Sequence, residues 1–159
     1  MGAAQASFPV EESNGVRAIC WGGLAAGVLD ITAAFVRWGH PMGILKGIAS
    51  GLLGPRAFQG GFGTAALGLG LHFLIAFSAA AVYYVASRKL TFLIQRPVLW
   101  GFLYGVAVYM FMSWIVVPLS AFPTSKSPFS LTAMALSVLT HMFCVGLPIA
   151  LAVGHFSRN

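Results

Sequence analysis

An all-α integral membrane protein is the fold class that the amino-acid sequence predicts, and three observations predict it. Of 159 residues, 58% are hydrophobic and only 8% are charged. Soluble domains carry roughly 25% charged residues, and a water-soluble fold with so few would present large apolar patches. The apolar residues also fall into four stretches of the ~20 residues that a helix needs to cross a bilayer core. Finally, the nine Lys and Arg residues are scattered between these stretches, as membrane-flanking charges are. The net charge of +6 is therefore no sign of nucleic acid, which would gather the basic residues on one stripe.

Residues 1–16, MGAAQASFPVEESNGV, form a polar, acidic tail. The tail has no basic region ahead of an apolar one, so no cleaved signal peptide is expected. The first span is predicted over about 17–37, after Ser13 and Asn14, which are residue types that cap helices. The second runs over about 64–87. The third, about 98–118, is opened by Pro97 and closed by Pro118. The fourth, about 131–154, follows the cap sequence SPFSLT. With no water to pair the backbone, each must be a helix, and together they make a four-transmembrane-helix bundle of one membrane domain, 17–159.

Between the first two spans, PMGILKGIASGLLG places Ile44, Ile48 and Leu52 on one helical face and Lys46 and Ser50 on the other. That pattern predicts a short amphipathic helix over about 42–54, lying in the membrane interface. The loop between spans three and four, PLSAFPTSKSP, has three prolines and is expected to be stiff. Arg88, Lys89 and Arg96 crowd the short loop between spans two and three, with Arg17 and Arg158 on the same side. Arg37, Lys46, Arg56 and Lys126 are spread over the other side. The denser side is expected to be cytoplasmic and to hold both termini. Cys20 and Cys144 have no partners at metal-site spacing and are expected as free thiols.

Each span carries one conspicuous polar residue: Asp30, His72, Tyr109 and His141. Asp30 is the only acidic residue outside the N-terminal tail. Counted at about 1.5 Å per residue, all four lie in one layer, roughly 10–16 Å below the same surface. Small residues stand at four-residue spacing beside each one. They are Gly22, Ala26 and Ala34 in the first span, and Gly68, Ala76 and Ala80 in the second. Gly101, Gly105 and Ser113 follow in the third, Ala133 and Ser137 in the fourth. Membrane helices pack closely along such ridges, so the four polar residues are expected to face the bundle interior. Pro148 is expected to kink the fourth helix and release the Cys144 carbonyl.

An ionisable residue inside a membrane points to function. Three chemistries would use the layer. Asp30 with one or two histidines makes a coupled titrating group, suited to a proton or ion relay. His72 and His141, on two helices at similar depth, are the pair that would ligate haem b. His72, His141 and Asp30 together would make a metal site. Against these stand structural roles: a protonated Asp30 bonded to a facing helix, or Asp30 paired with Arg37, two turns along. No catalytic motif is present, neither GxSxG nor HExxH, and the spans hold no pair of carboxylates. An enzyme is thus not the expectation.

LKGIASGLLGPRAFQGGFGTAALGLGLHFLIAFSAAAVYY, residues 45–84, resembles in layout the corresponding part of small four-helix inner-membrane proteins of bacteria known as uncharacterised families. The resemblance implies a multi-pass protein of the bacterial inner membrane and carries no residue roles. Two functional classes follow from the sequence. The leading one is a small non-catalytic accessory or scaffold subunit, because the small-residue ridges offer more packing surface than one bundle needs. Its partners would be the lipid bilayer, other membrane subunits or further copies of itself. The alternative is a self-sufficient site protein that moves protons or ions, or binds haem, through the Asp30 layer.

Overall fold

A computed structural model describes residues 10–123 and 130–158, with side chains from residue 14 onward. The start of the polar tail and residues 124–129, with Lys126 among them, lie outside the described residues. The described chain is helical throughout, with no strand. The helices are α1 (Val10–Trp38), α2 (Pro41–Leu53), α3 (Phe62–Lys89) and α4 (Phe92–Gln95), followed by α5 (Pro97–Leu119) and α6 (Leu131–Phe156). Four of them, α1, α3, α5 and α6, are long and apolar enough to cross a membrane.

The expected boundaries hold within a turn at most ends. Pro97 stands at the first turn of α5, where its missing N–H leaves nothing unpaired. Ser130 caps α6, its hydroxyl accepting from the Ala133 N–H at 3.2 Å. One boundary is corrected. Ser13 and Asn14 do not start α1, which runs through them from Val10. Gly15 packs against the Tyr84 ring, and this contact between helices holds the extra turns in place. α2 occupies the position expected of the short amphipathic helix. It turns out of α1 through Gly39 and into a 3₁₀ turn, Gly54–Gln59, through Gly54. Both glycines have positive φ (68° and 63°), which a side chain would disfavour.

Much of the interior is built from small residues, and many large ones face outward. Ala18, Ala26, Ala80 and Ala150 are fully buried, while Val36, Phe62 and Leu119 are more than three-quarters exposed. Only 6% of the apolar stretch of α5 is buried. Small residues let helix backbones approach closely. Gly22 of α1 packs between Ala80 of α3 and Ile149 of α6. Gly23 and Gly27 seat Phe77 and Phe73 of α3. Gly101 and Gly105 of α5 lie against the backbone of α6 at Gly146, Leu147 and His141. Gly68 differs from the others: it packs α3 against the Leu45 carbonyl of α2.

The long helices therefore follow the order α3, α1, α6, α5. Between α3 and α5, contact is made by tyrosines. The Tyr83 and Tyr104 rings meet edge-on at 4.9 Å. The Tyr104 hydroxyl donates to the Ala79 carbonyl at 2.7 Å, and that of Tyr83 to the Leu93 carbonyl at 3.1 Å. Toward their other ends α3 and α5 separate, and α2 enters the gap, held by the Ala121 N–H bonded to the Gly51 carbonyl at 2.9 Å.

Prolines shape α5 and α6 in the same way. Each contains a π-helical segment, Met112–Val116 in α5 and His141–Gly146 in α6. Each segment ends two residues before a proline, Pro118 or Pro148. A proline has no N–H for the carbonyl four residues back and clashes with it, here Trp114 and Cys144. The helix responds by widening one turn. The expected kink is therefore a π segment.

Candidate functional site

Asp30 sits in the C-terminal third of α1, half-buried, eight residues before the helix ends at Trp38. His72 lies ten residues into α3, and His141 ten residues into α6, as the first residue of its π segment. These positions correspond to about 12–15 Å along the helices from the α2 end. All three side chains line one internal cavity of about 270 Å³. Ala26, Ile48, Ala76 and Val145 supply much of its apolar wall. Tyr109 is placed differently. It stands beside His141, its ring edge-on to the imidazole at 5.4 Å, and is not part of the cavity wall.

The backbone sets the tautomer of both histidines. His72 Nε2 lies 2.9 Å from the Gly27 carbonyl of α1, and His141 Nδ1 lies 2.9 Å from the Ser137 carbonyl of its own helix. A carbonyl only accepts, so these nitrogens carry the protons. Each neutral ring is then left with one lone pair, on Nδ1 of His72 and on Nε2 of His141. Asp30 makes no hydrogen bond or ion pair among the described residues.

Arg37 does not pair with Asp30. Its guanidinium turns to α6, donating to the Ser137 hydroxyl at 3.1 Å and the Ala133 carbonyl at 3.3 Å. Asp30 lies seven residues, about 10 Å of helix rise, deeper along α1, and the acceptors that the guanidinium meets are those of α6. Ser137 thus joins Arg37, through its hydroxyl, to His141, through its carbonyl. Its spacing beside His141 is legible in the sequence. The partner it takes on another helix is not.

The cavity is sealed on one side. Below Ala79 the tyrosine pair and the fully buried Ala80, Ile149 and Val153 fill the bundle. On the opposite side Ile44 and Ile48 of α2 form part of the wall.

Chemically, one carboxylate and two imidazoles can hold and exchange protons as a coupled set. The other two chemistries fit poorly. Among the described residues no group of three His, Cys, Asp or Glu side chains is placed to hold a metal ion. A cavity of about 270 Å³ is smaller than ordinary ligand pockets of roughly 300–1,000 Å³, which leaves little room for a macrocycle. Nothing further comes from relatives: no protein-family model, curated protein or solved structure matches the chain.

Proposed function

We propose that the chain is a multi-pass membrane protein that works through a protonatable site in the bilayer interior. The observation that carries this is the meeting of Asp30, His72 and His141, from three helices, at one cavity. Ionisable groups at membrane depth are costly and mark proton or substrate pathways. Because the bundle is filled at Tyr83 and Tyr104, the site is reached from the α2 side and is not a through pore. α2 lies at the membrane interface on that side and roofs the cavity. The dense basic loop around Arg88, Lys89 and Arg96 faces the cytoplasm with both termini, in a bacterial inner membrane.

Histidine ¹⁵N NMR titration of the full chain in lipid nanodiscs tests the site. Removing the carboxylate with Asp30→Asn changes the titration of both His72 and His141 at unchanged protein abundance. Titrations that ignore the substitution refute a shared site.

A second role has its own support. A Cβ built at Gly63 or Gly70 of α3 meets nothing within 4 Å, which leaves a flat outer face where another membrane helix packs. An accessory or scaffold role, in contact with other subunits or further copies, uses that face. Co-migration of wild-type protein with a partner in mild detergent, lost in Gly70→Leu, supports it; a lone monodisperse species refutes it.

A further inference from the structure

A second space lies beside the cavity on the α2 side. It is a groove of about 760 Å³, and Ala34, Ile44, Ile48, Ile75 and Met112 line both spaces. The groove is walled by α2, α3 and the π segment of α5, with Trp38 and Phe122 along it. Its volume falls within the roughly 300–1,000 Å³ of ordinary ligand sites. Its walls are apolar apart from His40 and Ser120. The Ser120 hydroxyl donates to the Val117 carbonyl of its own helix. A long apolar space thus ends at a short polar one.

The bonds already made in the cavity define the head group that fits. The N–H of each neutral histidine is committed to a carbonyl. What remains is Nδ1 of His72, Nε2 of His141 and the Asp30 carboxylate, three acceptors and no donor. Arg37, two turns from Asp30 on α1, is held by Ser137 and Ala133. The matching head carries a positive charge and several N–H groups. A primary ammonium has one charge and three donors. An alcohol offers one donor and no charge, and a carboxylate brings a second anion.

We propose that groove and cavity together bind a long-chain primary amine from the bilayer, its ammonium at the Asp30 carboxylate in the cavity that His72 and His141 also line and its chain along Ile44, Ile48 and Met112. The proposal rests on the protonatable-site function, since a proton and an ammonium compete for the same carboxylate.

Trp38 lines the groove and reports occupancy. The full chain in nanodiscs is titrated with dodecylamine brominated at its far end, and tryptophan quenching is followed. The matched brominated alcohol and carboxylic acid are run in parallel. Quenching by the amine saturates, and the saturable part disappears in Trp38→Phe. Asp30→Asn weakens it about tenfold or more, the loss of a hydrogen bond to a charged group. Ile48→Phe, which fills the space beside α2 and leaves every titratable residue in place, weakens it as well. Saturable quenching by the alcohol or the acid in place of the amine overturns the proposal. So does amine quenching that neither Asp30→Asn nor Ile48→Phe alters. Histidine titrations on the same sample without amine separate the two ideas. Coupling to Asp30 without amine binding refutes the ligand alone, and absence of coupling refutes the protonatable site beneath it.

Discussion

Gly105→Ala tests whether α5 and α6 meet backbone to backbone. A Cβ at Gly105 would lie 2.5 Å from both the His141 carbonyl oxygen and the Met142 Cα. Ordinary van der Waals contact begins at 3.4 Å, so the methyl stands about 0.9 Å too close. The obstructing atoms are backbone, and no rotamer change moves them. The two helices must separate, and a gap of ~0.5–1 Å forfeits a quarter to a half of each dispersion contact along the seam. Overpacking of this kind costs about 1–3 kcal/mol. Better helix propensity returns up to about 1 kcal/mol. The net expectation is a loss of about 1–2 kcal/mol. Gly70→Ala is the control, because its Cβ meets nothing within 4 Å, and it should be neutral or slightly stabilising. Unfolding of both variants in mixed micelles, followed by circular dichroism against SDS fraction, reads the difference. Gly105→Ala as stable as Gly70→Ala would refute the close approach.

Other expectations follow from single contacts. Ser137→Ala removes the hydroxyl that receives Arg37 and should lower stability by roughly 1 kcal/mol in the same assay; an unchanged midpoint counts against the bond. Tyr104→Phe deletes the bond to the Ala79 carbonyl. Its cost should be about 0.5–1.5 kcal/mol, with faster amide exchange in α3 around Ala79, and unaltered exchange would show the tyrosine contact to be idle. Pro148→Ala restores an N–H for the Cys144 carbonyl and lets the π segment close to α geometry. Losing one residue from that turn rotates His141 by about 100° relative to the rest of α6. Histidine NMR should then show His141 uncoupled from Asp30 while His72 remains coupled; coupling of both would mean that the π segment does not set the position of His141.

Much of the architecture is legible in the sequence because membrane crossing imposes simple demands. A helix of ~20 apolar residues is the one solution open to a single segment without water. Four such stretches, their prolines and their caps can be read directly. The depth of Asp30, His72 and His141 is legible for the same reason, since a constant rise per residue converts position into depth. Asp30, His72 and His141 share a cavity, as that count expects, and Tyr109 shares their depth but packs behind His141. The difference is one of rotation about the helix axis, which a count of rise does not contain.

The remainder was decided by contacts between helices. Arg37 and Asp30 share a face of α1 in sequence spacing, yet the arginine binds α6, because which carbonyls lie nearby depends on which helix is the neighbour. Gly68 belongs to a ridge like those of Gly22, Ala26, Gly101 and Gly105, but it seats α2. Its spacing shows that something packs there without showing what. The groove beside α2 exists only because α3 and α5 part at one end and meet through Tyr83 and Tyr104 at the other. Composition and periodicity act along the chain and determine the membrane class, the helices and the level of the polar residues. Partners and cavities arise from which helices pack together, and that is set by shape complementarity among residues far apart in sequence.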